Sequence, residues 1–272
     1  MGVVNVTPDS FSDAGAYLAP AAAIAHGRRL IDQGADMIDV GGESTRPGAN
    51  PVPLADELAR VLPVVEALAQ VGALVSIDTS RAEIMRQALA KGARIVNDVS
   101  ALTREKASLA IVAESGASAI LMHMQGEPRT MQNSPAYTDV VAEVDAYLAG
   151  RLAACRAAGI ALERLAVDPG IGFGKTLAHN LALIAGIGRL KRLGAAVAVG
   201  VSRKSFIAAL SRGAPPGERL AGSLAAGLEA VARGADIVRV HDVRETVQAL
   251  EVWRAIEGVA GGPAGAPEIG GG

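Results

Sequence analysis

The sequence has little of what disulfide-bonded, nucleic-acid-binding or membrane proteins require. Cys155 is the only cysteine among 272 residues, so no intrachain disulfide can form, and a small buried apolar role is favoured over a nucleophilic one. The 26 basic and 28 acidic residues are spread along the chain and form no basic stripe that would bind nucleic acid. No uncharged apolar run approaches a membrane span, and the segment after Met1 lacks the basic start of a secretory signal. We expect a cytoplasmic protein without nucleic-acid or membrane partners.

Several metal and nucleotide motifs are also missing from the sequence. There is no GxxxxGK[ST] string, which excludes a Walker P-loop. There is no HExxH and no cluster of cysteine and histidine, which argues against a zinc site. Ligation of Mg²⁺ by hard oxygen atoms remains open.

The sequence does contain a repeated junction, in which an amphipathic stretch ends in Gly-Ala and a short β-rich run follows. Glycine can adopt the left-handed conformation that closes a helix, so each junction predicts a helix end followed by a strand. Gly159, followed by LAVDPG, adds a seventh case, and GVVNVTP adds a strand near Met1. The six Gly-Ala junctions lie at Gly34, Gly72, Gly92, Gly116, Gly194 and Gly234, and the runs after them are DMIDVGG, LVSIDTS, RIVNDVS, AILMHMQ, AVAVGVS and DIVRVHD.

Eight strands alternating with helices predict parallel pairing with right-handed crossovers. Such units most naturally close into a (β/α)8 TIM barrel, and an open doubly wound sheet is the alternative. The length suits a single domain, which we place at residues 1–257. Residues 258–272 are rich in Gly, Pro and Ala with almost nothing to bury, and this composition predicts a disordered tail.

Polar residues end nearly every predicted strand, at the face where TIM barrels build their active sites. An unpaired carboxylate would be costly to bury there, so a donor-rich or cationic ligand is one interpretation. For Asp39, Asp78, Asn97 and Asp168, helix capping and turn formation is the other interpretation, and it is favoured for any one of them taken alone. The residues are Asn5, Asp39, Asp78, Asn97, His123, Asp168, Ser202, Arg203, Lys204, Arg239 and His241.

Two of these groups have the character of an anion site. Arg239 and His241 are two residues apart on the last strand, so their side chains should share one face. The run SRKSF at 202–206 places two cations and two hydroxyl groups at a strand-to-helix corner, although a solvated basic corner is equally compatible with it. The segments ESTRPGA at 43–49 and DPGIGFGKT at 168–176 are too elaborate for simple connections.

Taken in order, seven segments between residue 2 and about residue 256 resemble the dihydropteroate synthase family. One such string would be weak evidence, whereas seven in the right order on the right strands are strong evidence. The segments are NVTPDSFSD at 5–13, DVGGESTRPG at 39–48, SIDT at 76–79, NDVSAL at 97–102, DPGIGFGKT at 168–176, VGVSRKSF at 199–206 and VRVHDV at 238–243.

The resemblance implies a pocket for the pterin substrate, a diphosphate site and a metal. The pterin pocket would comprise Asp78, Asn97, Asp168 and Lys204; a carboxylate can accept the adjacent N–H donors of the pterin ring together. The diphosphate would bind Asn5, Arg239 and His241, and Asn5 would also ligate Mg²⁺. Replacing Arg239 or His241 should then reduce turnover more than pterin affinity and leave stability little changed.

The resemblance also implies a second substrate, 4-aminobenzoate, and two loops. The region that frames this substrate corresponds to Thr45, Arg46, Pro47, Phe173 and Ser205. In the family, a first loop, here with Phe11 and Asp13, closes over the reacting centre. The catalytic residues that the resemblance implies are Asp13, Arg46, Lys204, Arg239 and His241.

The implied activity is an SN1-like displacement in folate biosynthesis, carried out by a homodimer that sulfonamides target. The C–O bond to diphosphate would break before the arylamine attacks, so no side-chain nucleophile is required. A pterin-dependent methyltransferase barrel is one alternative, although it would have little use for SRKSF together with the RVH of residues 239–241. A catalytically silent pterin-binding paralogue is the other, and loss of Asn5, Arg239 or His241 would have favoured it.

Overall fold

A computed structural model describes residues 1–6, 18–44, 52–127 and 129–260, in which strands and helices alternate. The strands are β1 Gly2–Asn5, β2 Ile38–Gly41, β3 Val75–Asp78, β4 Ile95–Asp98, β5 Ser118–Met122, β6 Leu165–Asp168, β7 Ala196–Gly200 and β8 Ile237–Arg239. The helices are α1 Leu18–Asp32, α2 Leu54–Gln70, α3 Ala82–Ala90, α4 Lys106–Ser115, α5 Val140–Ala157, α6 Leu177–Ala185, α7 Ile187–Lys191, α8 Ser205–Leu210, α9 Leu220–Ala232 and α10 Val243–Ala260.

The eight strands form one parallel sheet in chain order, and its two edges meet. Gly2 forms a parallel bridge with Val240. The N–H of Val3 donates to the carbonyl of Val240 over 3.0 Å, and the N–H of Val240 donates to the carbonyl of Met1 over 2.9 Å. These bonds close the sheet, so the predicted (β/α)8 TIM barrel is confirmed and the open sheet is not adopted.

The junction glycines behave as the repeat predicted. Gly34, Gly92 and Gly234 have φ values of 95°, 107° and 105°, in the left-handed region that side chains with a Cβ atom rarely adopt. The other four junction glycines also have positive φ. Each lies between a helix and the next strand, so the glycine repeat sets the alternation of the fold.

Strand alternation divides the buried residues into two layers. Val40, Ile77 and Val167 face the helices and belong to the large outer core. A smaller cluster of Met1, Ile95, Ile120, Ala166 and Ala198 fills the barrel interior. The residue two positions further along β4 is Asn97, and along β6 it is Asp168. Polar side chains therefore lie directly above an apolar plug.

The last helix, α10, continues through Gly258 to Ala260, three residues into the segment predicted to be a tail. A glycine in the last turn disfavours a helix by only about 1 kcal/mol, too little to end it there. The rest of the predicted tail, residues 261–272, lies outside the described residues.

Cys155 is fully buried in the outer core, as predicted. None of the described helices combines the length and apolarity needed to cross a membrane.

Candidate active site

The candidate site lies at the carboxyl ends of the strands, where inward-facing polar side chains converge. Asp78 ends β3, Asp168 ends β6 and Arg239 ends β8, while Asn97 is the next-to-last residue of β4. Parallel strands present these ends at one face of the barrel. Asp78, Asn97 and Asp168 are not helix caps, because the N-cap residues of the helices that follow them are Arg81, Glu105 and Thr176. Asp168 does form a turn, since it accepts a hydrogen bond from the N–H of Gly170.

Arg239 is the centre of the cluster. Its Nε donates to Oδ2 of Asp39 over 2.6 Å, and its Nη2 donates to Oδ2 of Asp78 over 2.9 Å. The same oxygen of Asp39 accepts a hydrogen bond from Nδ2 of Asn97 over 3.0 Å. Asp39 is completely buried, whereas a quarter of the Arg239 side chain is exposed. Four residues from β2, β3, β4 and β8 thus form one polar network in the barrel mouth.

Lys204 and Asp168 occupy the other side of the mouth. Lys204 Nζ donates to the carbonyl of Ile171 and lies 4.9 Å from the centroid of the Phe173 ring. Asp168 Oδ1 accepts a hydrogen bond of 2.7 Å from the N–H of Gly170. Burial lowers the pKa of Lys204 to about 8, although the negative charge of Asp168 opposes that shift. Lys204 is thus mainly protonated at neutral pH and can donate to an acceptor on a ligand.

Burial also acts on the two carboxyl groups that face the mouth. It raises the pKa of Asp78, and the charge of Arg239 opposes this rise. It raises the pKa of Asp168 as well, and Lys204 provides the largest opposing charge. Both acids are therefore held among cations while having little contact with water. A neutral ligand with several N–H donors would supply the hydrogen bonds that burial removes.

The residues predicted to hold diphosphate have varied surroundings. His241 Nδ1 lies 3.0 Å from the hydroxyl oxygen of Ser202, which also accepts a bond from the His241 N–H. Asn5 ends β1, is half-buried and faces the barrel interior by strand alternation. Arg203, one of the two cations of SRKSF, instead forms an ion pair with Asp242. That corner therefore contributes one cation to the mouth, Lys204, rather than two.

The remaining predicted site residues divide into two sets. Phe173 is half-buried beside Lys204, and Ser205 is the exposed first residue of α8. The others follow β1 and β2 in the sequence and lie outside the described residues: Phe11, Asp13, Thr45, Arg46 and Pro47.

Comparison with known proteins decides the family. A family model described as pterin binding enzyme matches residues 1–241. The dihydropteroate synthase of Escherichia coli K12 is 50% identical over 256 residues, covering 94% of this chain and 90% of its own. The chain belongs to the dihydropteroate synthase family.

Solved structures of dihydropteroate synthases share the fold. The Xanthomonas albilineans enzyme with 4-aminobenzoic acid has a TM-score of 0.89 at 50% identity, covering 95% of this chain and 92% of that one. The same enzyme in complex with 7,8-dihydropteroate has a TM-score of 0.85 at 47% identity, covering 95% and 93%. Here the family resemblance inferred from seven short segments is confirmed.

The sequence analysis missed Lys175 within the family segment GFGKT. Its side chain is 3% exposed, and Nζ lies 3.1 Å from Nδ1 of His123, 3.3 Å from the His123 carbonyl and 2.9 Å from the Phe173 carbonyl. Burial lowers the pKa of His123 to about 4, so the ring is neutral and can accept from the amine. Lys175 thereby connects the glycine-rich segment 168–176, which contains Phe173, to His123 at the end of β5. Nothing in the sequence around Lys175 predicted that its side chain would be buried.

The glycines of the same loop allow its close approach to β5. A Cβ atom at Gly170 would overlap the carbonyl oxygen of His123, and one at Gly174 would overlap that of Gln125. Both residues also have positive φ, at 68° and 64°. The glycine-rich segment is thus required by packing against β5, and it brings Phe173 and Lys175 to the barrel mouth.

We expect Lys175→Met to lower the free energy of unfolding by about 1–2 kcal/mol, because three buried acceptors lose their donor. Burial lowers the pKa of Lys175 to about 7, below its ordinary value. Between pH 7 and about 10, the unfolded chain therefore binds more protons, so the wild type gains stability as pH rises and the variant lacks this gain. Denaturant unfolding at pH 6 and pH 9 should show the larger difference at pH 9. Lys191→Met, at an exposed ion pair with Asp236, is the control. A difference that narrowed at high pH would contradict this assignment.

Proposed function

We propose that this chain joins (7,8-dihydropterin-6-yl)methyl diphosphate to 4-aminobenzoate, giving 7,8-dihydropteroate and diphosphate in folate biosynthesis. The observation that carries this proposal is the convergence of Asp78, Asn97, Asp168 and Lys204 around Arg239 at one barrel mouth. Family membership supports the same reaction. It is an alkyl transfer, in which the pterin methylene moves from diphosphate oxygen to arylamine nitrogen.

The pterin ring needs acceptors for its N–H groups and donors for its carbonyl and ring nitrogens. In our proposal, Asp78 and Asp168 accept the N–H groups of the ring, and Lys204 donates to the carbonyl or N5. The half-buried Phe173 lies beside Lys204, where it can help to cover the ring. These contacts hold the methylene carbon in one place while the bonds to it change.

The displacement itself requires charge stabilisation rather than a nucleophile from the protein. The C–O bond breaks and its electron pair leaves with diphosphate; the amine lone pair of 4-aminobenzoate then forms the C–N bond, and the amine loses a proton. Arg239 and His241 would stabilise the departing diphosphate, and Asp13 would stabilise the cationic pterin methylene. Arg46 belongs with them by family resemblance.

We also propose Mg²⁺ as the cofactor, with Asn5 as its protein ligand. The amide oxygen of Asn5 is the hard donor that Mg²⁺ prefers, and Mg²⁺ commonly keeps water and substrate phosphate oxygens as its other ligands. Within the described ranges, no three His, Cys, Asp or Glu residues are grouped to hold a metal. A metal carried mainly by the diphosphate fits this donor set; when bound, it would neutralise leaving-group charge. Loss of turnover in EDTA and recovery with Mg²⁺ would support the assignment.

A single-turnover assay tests the reaction. Enzyme in excess over pterin diphosphate, with 4-aminobenzoate and Mg²⁺, should release one equivalent of pyrophosphate and form one of 7,8-dihydropteroate. Binding of the pterin without pyrophosphate release would instead indicate a silent paralogue, and methyl transfer to a corrinoid protein would indicate the methyltransferase alternative.

We expect His241→Ala to lower turnover about tenfold while changing pterin affinity less than about twofold. The reason is that the diphosphate, which His241 would bind, carries most charge as the C–O bond breaks. The effect is moderate because Arg239, Asn5 and Mg²⁺ share that charge. Steady-state kinetics and calorimetry would separate kcat from pterin binding. His26→Ala, on α1, is the control and should change neither. Unchanged turnover in His241→Ala would place the anion site elsewhere.

Binding is expected to be ordered, with 4-aminobenzoate second. The predicted site for it combines Phe173 and Ser205 with Thr45, Arg46 and Pro47 on a different loop, and Arg46 needs an anion to organise around. Titration of 4-aminobenzoate should therefore show binding only with pyrophosphate and Mg²⁺ present, and a sulfonamide should behave in the same way. Equal affinity with and without pyrophosphate would mean a preformed pocket.

We further propose a homodimer in the cytoplasm. Leu177 and Leu181 on α6 and Leu210 on α8 are exposed, and the two helices pack together. Exposed leucines on adjacent helices suit a self-associating surface. Light scattering of the wild type should give twice the chain mass, and Leu181→Glu should lower it. A monomeric wild type would overturn the dimer, and cell fractionation would test the location.

A further inference from the structure

Asp39 is a fully buried carboxylate to which the family resemblance assigned no role. It lies in the middle of β2 with its side chain in the barrel interior, and it caps no helix, since α2 begins only at Leu54. Oδ2 accepts the bonds from Asn97 and Arg239, whereas Oδ1 has no partner among the described residues. Burying a carboxylate is costly, so the two bonds must offset a substantial penalty.

The bond to Asn97 fixes the orientation of its amide group. With Nδ2 directed at Asp39, Oδ1 of Asn97 and its second N–H remain available toward the barrel mouth. Turning the amide over would place Oδ1 against a carboxylate oxygen, two acceptors in contact, and would leave the carboxylate without that donor. Asp39 therefore selects one of the two ways in which Asn97 can meet a ligand.

Asp39 holds the Arg239 guanidinium in place when Asp78, the other carboxylate bonded to Arg239, turns to the ligand. Arg239 is shared between Asp39 and Asp78, and under the proposed function Asp78 turns its oxygens to the pterin ring. Asp39 is completely buried and lies one strand away from Asp78, so it can retain the guanidinium when Asp78 is occupied. Without Asp39, the cation would have a single carboxylate partner, and that one would be required by the ligand.

We propose that Asp39 is a positioning residue of the pterin pocket, acting through the Asn97 amide and the Arg239 guanidinium without touching a reacting atom. This rests on the proposed function only in the identity of the ligand. The close placement of Asp39, Asn97 and Arg239, which lie on β2, β4 and β8, is observed independently of the ligand.

Asp39→Asn tests the proposal, because it keeps the shape and removes the charge. Calorimetry with 6-hydroxymethyl-7,8-dihydropterin, which cannot react, should show an affinity about tenfold lower than in the wild type. The matched control is Ser76→Ala, which removes the buried hydroxyl group paired in register with Asp39 on β3 and bonded to neither Asn97 nor Arg239. Ser76→Ala should bind the pterin with wild-type affinity.

A double-mutant cycle separates positioning from general destabilisation. If Asp39 acts through Asn97, Asp39→Asn should cost clearly less affinity in an Asn97→Ala background than in the wild type. Equal costs in both backgrounds, or wild-type pterin affinity in Asp39→Asn, would overturn the proposal. Should Asp39→Asn fail to fold, the same cycle with Asn97→Ala can be measured with Asp39→Glu, which keeps a carboxylate partner for Arg239 but displaces the oxygen that accepts from Asn97. Pterin affinity is measured without turnover, so absence of pyrophosphate release in the wild type would count against the proposed function alone.

Discussion

Arg239→Met is expected to lower the free energy of unfolding by about 3 kcal/mol, because it leaves the buried carboxylates of Asp39 and Asp78 without their cation. The value is at the low end for a buried ion pair, since a quarter of the Arg239 side chain is exposed. This replaces the expectation from sequence alone that stability would change little. The family role of Arg239 concerned only the diphosphate, and its two carboxylate partners were not visible in the sequence.

The pH dependence of this loss identifies its cause. Arg239 lowers the pKa of Asp78 against the effect of burial, so removing the arginine raises that pKa further. A buried acid with a raised pKa is more easily accommodated when protonated. Since the pKa of Asp78 is about 7 with Arg239 present, the wild type also gains this stability below pH 7, so the extra loss in the variant should shrink as pH falls from 9 to 7. Urea unfolding at both pH values measures this.

The control for Arg239→Met is Arg203→Met. Arg203 also pairs with a carboxylate, Asp242, but 39% of its side chain is exposed, so its loss should cost no more than about 1 kcal/mol. If the two variants lost equal stability, or if the Arg239→Met loss were independent of pH, the buried network would not be the source of the stability.

The alternation of strands and helices was predictable because it depends on local chemistry. A helix that ends at a glycine with positive φ needs that glycine in any context, so Gly34 or Gly234 can be recognised from their neighbours alone. The strand ends follow from the same junctions, and this placed Asp78, Asn97 and Asp168 at one face of the barrel. The tail was predicted from composition rather than from a junction, and α10 continues through Gly258 to Ala260.

What the sequence could not show is how polar groups from distant segments pair. Asp39 and Arg239 are 200 residues apart, and their bond exists only because the barrel closes. Arg203 and Lys204 are adjacent in SRKSF, yet one forms an ion pair with Asp242 and the other turns into the mouth. Local patterns do not encode this difference, since both residues are long cations in the same turn. The burial of Lys175 was not predictable for the same reason, since its partner His123 is 52 residues away in the sequence.

Asp78→Asn and Asp168→Asn should each weaken pterin binding by about 1–3 kcal/mol, roughly five- to 150-fold. A carboxylate pairs its two oxygens side by side with two adjacent ring N–H groups, whereas an amide has only one oxygen for this pairing and would turn its own N–H groups toward a donor. Calorimetry with 6-hydroxymethyl-7,8-dihydropterin measures the loss directly. Asp32→Asn is the control, because Asp32 is exposed at the end of α1, on the opposite face of the barrel from the mouth.

The two variants should differ in their effect on the free protein. In Asp78→Asn, Arg239 keeps its bond to Asp39, so thermal stability should change little. In Asp168→Asn, Lys204 loses the negative charge that raises its pKa, so burial lowers that pKa further below about 8. Pterin binding to Asp168→Asn should then weaken at a lower pH than binding to the wild type, in which Lys204 loses its proton near pH 8, because a deprotonated Lys204 can donate less well to the ring carbonyl. Wild-type affinity in both variants would remove Asp78 and Asp168 from the pterin pocket, and a loss in Asp168→Asn that did not vary with pH would separate Lys204 from the ring.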